Sequence, residues 1–198
     1  MDLARAPLDV QQAEFVRIVL TNPVVARIVE RLPELGLPDC WLAAGCLFQT
    51  VWNTLSGRDP RAGILDYDVN YHDASDLSWE AEDVAIRRAD HVLGDGGGRV
   101  EVRNEARVHL WYAEKFGTAC PPYRSTAHAI STFPNCSSCV AVRPGPAGLE
   151  VLAPYGLTDL FTMVCRPNPV LAPAGVYRAK TARWAQEWPA LTVLPWPA

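Results

Sequence analysis

Apolar positions recur at three- and four-residue intervals over residues 10–20 and 23–32, which predicts two opening helices. Asn22 suits the N-cap of the second, and Pro23 its first turn. Leu37-Pro38-Asp39 breaks the pattern, and the short apolar run 40–44 reads as a buried strand ending at Gly45. Leu47, Val51, Trp52 and Leu55 return to helical spacing, and Gly57 closes that helix. Beyond a polar loop at 58–63, residues 65–71 read as a strand, 77–93 as an amphipathic helix and 99–103 as another strand. The glycine-rich connection at 94–98 leads into a strand rather than a helix, so it is not a phosphate-binding fingerprint. Downstream, the pattern favours a helix over 106–116, with a continued strand as the alternative. It then predicts a short helix over 125–132, a hairpin of 140–143 with 149–152, a helix over 155–164 and a last helix over 176–188. Helices and strands interleaved in this way predict an α+β fold, a small mixed sheet with flanking helices.

The length, 198 residues, suits one domain: opening helices in 1–36, a core in 40–152 and a C-terminal helical part in 153–198. With 49% hydrophobic and 20% charged residues, the chain can bury a core. A net charge of −4 argues against a broad basic surface for nucleic acid or anionic membrane. No run of about 18 apolar residues suggests a membrane span, and the first 20 residues carry too many charges for a signal peptide. The expected location is cytoplasmic. Six scattered cysteines fit that compartment, and Cys136-Ser-Ser-Cys139 reads as a turn entering a strand, not a redox or zinc motif. Core packing is the better account of most of the seven tryptophans.

The chemistry concentrates in Leu65-Asp66-Tyr67-Asp68-Val69. Residues two apart in a strand share a face, so Asp66 and Asp68 set two carboxylates side by side, roughly 6–7 Å apart at the backbone. Such a pair repels unless it is solvated, protonated or bound to a cation, and Mg²⁺ accepts oxygen ligands of this kind. A solvent-facing pair at a strand end is the plain alternative. Upstream, Gly45-Cys46 opens a helix whose free N–H groups and dipole suit a triphosphate. Glu101, between Val100 and Val102, would join the acids if its strand pairs beside theirs; otherwise it is an ordinary sheet-edge charge. Three carboxylates can hold two cations for in-line phosphoryl chemistry. If the strand continued to residue 109, Arg107 and His109 would share the face of Glu101, the first as a phosphate clamp and the second as an acid or base. Their alternatives are a partner acid for Arg107 and a backbone carbonyl for His109. Arg166 and Lys180 are further candidates for phosphate contacts.

The succession of helix, strand, Ala44-Gly45, helix, Asp66-Tyr67-Asp68 and Glu101-Val102 resembles the nucleotidyltransferase superfamily related to DNA polymerase β. Together with Asp73, the blocks Arg103-Asn104-Glu105-Ala106-Arg107-Val108-His109, Ala153-Pro154-Tyr155-Gly156-Leu157-Thr158-Asp159-Leu160-Phe161 and Arg166-Pro167-Asn168 make it similar to a bacterial family of uncharacterised nucleotidyltransferase-like proteins. The resemblance implies a polymerase-β-like core and metal-dependent transfer of NMP from an NTP to an acceptor. It implies Mg²⁺ or Mn²⁺ on Asp66, Asp68 and Glu101, and phosphate contacts at Gly45 and Cys46. The acceptor is unidentified, and the acidic balance favours a small molecule or protein over nucleic acid. The family usually has Ser or Gly where Cys46 stands. This leaves the alternative of an inactive nucleotide-binding or protein-interaction module with the same fold.

Overall fold

The computed structural model describes residues 3–197. The opening helices are α1 (Leu8–Val19) and α2 (Pro23–Arg31). Asn22 caps α2 as its sequence suggests, its side-chain oxygen accepting from Val24 N at 3.0 Å. Its amide donates to Thr50 Oγ1 at 3.0 Å and Tyr67 OH at 3.4 Å, so this fully buried cap also ties α2 to the elements carrying the acids.

There follow β1 (Trp41–Ala43), α3 (Gly45–Leu55), β2 (Tyr67–Tyr71), α4 (Trp79–Leu93) and β3 (Val100–Asn104). The single-turn helices α5 (Tyr112–Phe116) and α6 (Thr126–Ile130) precede the hairpin β4 (Ala141–Gly145) and β5 (Gly148–Leu152). The chain ends with α7 (Thr158–Phe161), β6 (Val164–Cys165), α8 (Ala174–Glu187) and β7 (Thr192–Val193). The main sheet is mixed, in the order β3-β2-β1-β4-β5, with β2 and β3 parallel and the other pairs antiparallel.

Strand alternation divides the molecule into two layers. Leu42, Tyr67, Val69, Tyr71, Val102 and Val142 face the main core, against apolar residues of α1 to α4. The opposite face carries Trp41, Ala43 and Ala141 against α6, and also Asp68, Asn70, Glu101 and Arg103. Four aromatic rings lock α3 to α8: Trp52 lies 4.7 Å from Phe48, 5.8 Å from Trp184 and 5.5 Å from Trp188, centre to centre.

Two expectations need correction, and one element was not anticipated. The helix over 106–116 is a 3-10 turn, Glu105–Leu110, followed by α5, because Asn104 accepts from Ala106 N at 3.1 Å and ends the strand. The helix over 155–164 shrinks to one turn, bracketed by Gly156 (φ 74°) and Met163 (φ 54°), left-handed positions that no helix continues through. The parallel pair β6 and β7 is a further addition, too short to signal itself by alternation. Among the described residues, no helix is long and apolar enough to cross a membrane.

Candidate active site

A cavity of about 390 Å³ opens on the polar face of the sheet. Asp66, just before β2, and Asp68, on it, both line this cavity. Asp68 pairs in register with Ala43 on one side and with Glu101 on the other. Asp68 and Glu101 therefore sit side by side on neighbouring strands, whereas Asp66, expected on the same strand as Asp68, lies just ahead of it. Ala44 takes an unusual positive φ of 51° and turns the chain straight from β1 into α3. That turn brings the start of α3 against the carboxylates. A β-carbon on Gly45 would lie 3.9 Å from Asp66 Oδ1, 3.9 Å from Asp68 Oδ2 and 3.2 Å from Gln49 Nε2. Glycine keeps this approach clear.

Burial, together with Asp66 and Glu101, pushes the Asp68 carboxyl up to about 7, with Lys180 and Arg103 opposing. A cation would relieve this like-charge strain. Among the described residues, no group of three or more His, Cys, Asp or Glu is placed to hold a metal ion. Glu101 instead forms an ion pair of 2.7 Å with Arg99. The convergent pair Asp66 and Asp68 still fits a hard divalent cation, since Mg²⁺ commonly takes one or two protein carboxylates and fills its other positions with water and substrate oxygens.

The positive side of the cavity comes from Arg103 on β3 and from Lys180 and Arg183 on α8. Surrounding protein, with Arg183, lowers the Lys180 pKa, while Asp68 and Asp66 pull it back up. Lys180 thus stands where the sequence made it a candidate; Arg183 was missed. Arg166 does not join them, because Asp159 holds its guanidinium at 2.7 Å.

The sequence candidates divide. Gly45, Asp66, Asp68 and Glu101 meet in the cavity. Cys46 is not among the residues that line it: the thiol is fully buried and donates to Ala43 O at 3.7 Å. Arg107 and His109 do not share the Glu101 face, because the strand stops at Asn104. Arg107 pairs with Glu82 and donates to Leu77 O at 3.0 Å, fastening the 3-10 turn to α4. His109 lies outside the lining, and its Nδ1 is buried without a partner among the described residues. Sequence reading also missed Asn70 and Glu105, both about 5% exposed and both lining the cavity. The β2 alternation pointed to Asn70; no periodic signal marks Glu105, which sits at the strand-to-turn junction.

A family model described as Nucleotidyltransferase matches residues 30–193. A solved structure, described as an NMR structure that reveals a CCA-adding enzyme head domain, is similar with a TM-score of 0.76 and 24% identity over 93% of this chain and 96% of that one. At that identity the likeness establishes the fold. No curated protein sequence matches the chain. The matched family model spans most of the chain and every acid in the cavity, and the chain belongs to this nucleotidyltransferase family.

Proposed function

We propose that the chain transfers NMP from an NTP to an acceptor bound in the cavity, and that Asp66 and Asp68 hold the divalent cation, Mg²⁺ or Mn²⁺, on which transfer depends. The carrying observation is the convergence of both carboxylates on the start of α3, 3.9 Å each from the β-carbon position of Gly45. A helix N-terminus attracts phosphate, and the adjacent acids attract the cation that accompanies it. The cation, when bound, neutralises charge on phosphate oxygens and lowers the barrier to in-line displacement.

The protein's own groups have distinct tasks in this reading. The main-chain N–H groups at Gly45 and Cys46 orient the triphosphate. Arg103, Lys180 and Arg183 offset charge on the departing pyrophosphate. Glu101, one strand from Asp68, receives the acceptor's proton as the bond to the α-phosphorus forms and the bond to the bridging oxygen breaks. The Cys46 thiol has no part, since it is turned into the core, and cysteine in place of serine there therefore gives no support to an inactive module.

Lys180→Gln tests the positive side. It is expected to raise the KM for NTP about tenfold, roughly 1.4 kcal/mol of binding, with little change in melting temperature because among the described residues Lys180 makes no hydrogen bond or close ion pair that the substitution would break. An unchanged KM would remove Lys180 from the nucleotide site. The readout is initial rate against NTP concentration.

A further inference from the structure

One end of the cavity has no task in this reaction. Farther along β2 and β3 from the carboxylate pair, Glu105 follows the end of β3, and Val108, Tyr112 and Tyr123, packed on one another, line the cavity with it. Glu105 is about 5% exposed and lines the cavity; among the described residues its carboxylate makes no hydrogen bond or close ion pair, and Arg103 acts on it only electrostatically. A carboxyl group buried without a partner is costly, and one that lines a cavity can recover that cost from a ligand. Aromatic rings add a preference for positive charge. The chain already uses it nearby, since the Arg103 guanidinium lies 5.8 Å and the Lys115 ammonium 5.4 Å from the centre of Trp111.

The cavity therefore carries groups of both signs. Lys180 acts on Asp66 and Asp68 and, with Arg183, suits a triphosphate beside them; Glu105, with Tyr112 and Tyr123, lines the same cavity beyond Arg103 and suits a cation. Resting on the nucleotidyltransferase reading above, we propose that the Glu105 end is the acceptor subsite and takes a small organic molecule bearing an ammonium group, which pairs with Glu105 among the aromatic rings. The ammonium is a handle for binding; a separate nucleophile on the same molecule would face the α-phosphorus.

Charged and titratable groups around Glu105 set the pH response. Burial pushes its carboxyl up to about 8; Arg103 opposes this and Asp68 adds to it. Tyr123 and Cys120, on the segment packed against the 3-10 turn, also interact with it. Ammonium binding requires the ionised carboxylate, so affinity rises as pH increases towards and past 8.

The test uses 2-phenylethylammonium and its neutral analogue 2-phenylethanol, each titrated at pH 8.5 into wild type and Glu105→Gln, followed by NMR chemical-shift changes. Wild type is expected to bind the ammonium at least tenfold more tightly than the alcohol, and Glu105→Gln to lose that preference. Equal binding of the two probes, no binding of either, or a preference that survives in a folded Glu105→Gln protein would overturn the proposal. The wild-type comparison decides the matter even if Glu105→Gln fails to fold. Metal-dependent NTP binding is measured on the same wild-type sample. If NTP binds and the ammonium does not, the acceptor subsite falls and the nucleotide reading stands. If the ammonium binds and NTP does not, the nucleotide reading falls and takes the acceptor role with it.

Discussion

Asp68→Asn is expected to reduce NMP transfer by roughly 10²–10³-fold, the scale of losing one group that stabilises transition-state charge, while the fold persists. The substitution keeps shape and removes one of two convergent anionic ligands. Main-chain pairing of β2 with β1 and β3 does not depend on the side-chain charge. Without metal, the variant should be at least as stable as wild type at pH 8, because it removes repulsion from Asp66 and Glu101.

The sign of the pH effect follows from linkage. The Asp68 carboxyl has a folded-state pKa of about 7 against an ordinary value of 3.8. Between these values the folded state binds more protons than the unfolded state, so this group's contribution to stability falls as pH rises through that window. Metal-free wild type should therefore lose melting temperature relative to Asp68→Asn between pH 5 and pH 8, and added Mg²⁺ should restore it at the upper end. Turnover and thermal melts of both proteins check this. Wild-type turnover in Asp68→Asn would remove Asp68 from the reaction.

Trp52→Ala is expected to cost about 3–5 kcal/mol, the range for deleting a large buried aromatic. For a chain of this size that lowers the melting temperature by roughly 10 °C. Trp52 is fully buried, touches Phe48, Trp184 and Trp188, and donates from Nε1 to Leu160 O at 3.2 Å. Trp188 in turn donates to Asn53 Oδ1 at 3.0 Å. The cluster thus fixes α8, and with it Lys180 and Arg183, over the start of α3. Folded Trp52→Ala should also show a raised KM for NTP, because the positive side of the cavity loses its support. Urea denaturation measures the first effect and steady-state kinetics the second; a loss below 1 kcal/mol would mean the cluster repacks without strain.

What could be read from the sequence was what strand periodicity and local turn chemistry determine. Asp66 and Asp68 are two apart in an alternating segment, and Glu101 sits between two valines, so one observation of strand pairing was enough to bring them together. The helices before residue 57 were legible because Asn22, Pro23, Gly45 and Gly57 punctuate them. After Asn104 the code changes. A single side-chain cap replaces the strand by a 3-10 turn, and that rotates Arg107 away from Glu101 and towards Glu82. Glu105 becomes buried for the same reason. Arg183 stands three residues beyond Lys180 and shares its face of α8, a spacing that could have marked it; only the crossing of α8 over the cavity shows that this face meets the acids. Cys46 looked like a substituted phosphate donor in the linear sequence, but the helix turn sends its thiol into the core.

In the proposed reaction Asp66 and Asp68 join metal and nucleotide at the start of α3. Calorimetric titration of each NTP into wild type and into Asp66→Asn/Asp68→Asn, with and without Mg²⁺ or Mn²⁺, tests it most directly. NTP is expected to bind wild type only with metal and not to bind the folded double variant; equal binding by both proteins, or none by wild type with metal present, would remove the two carboxylates from the nucleotide site.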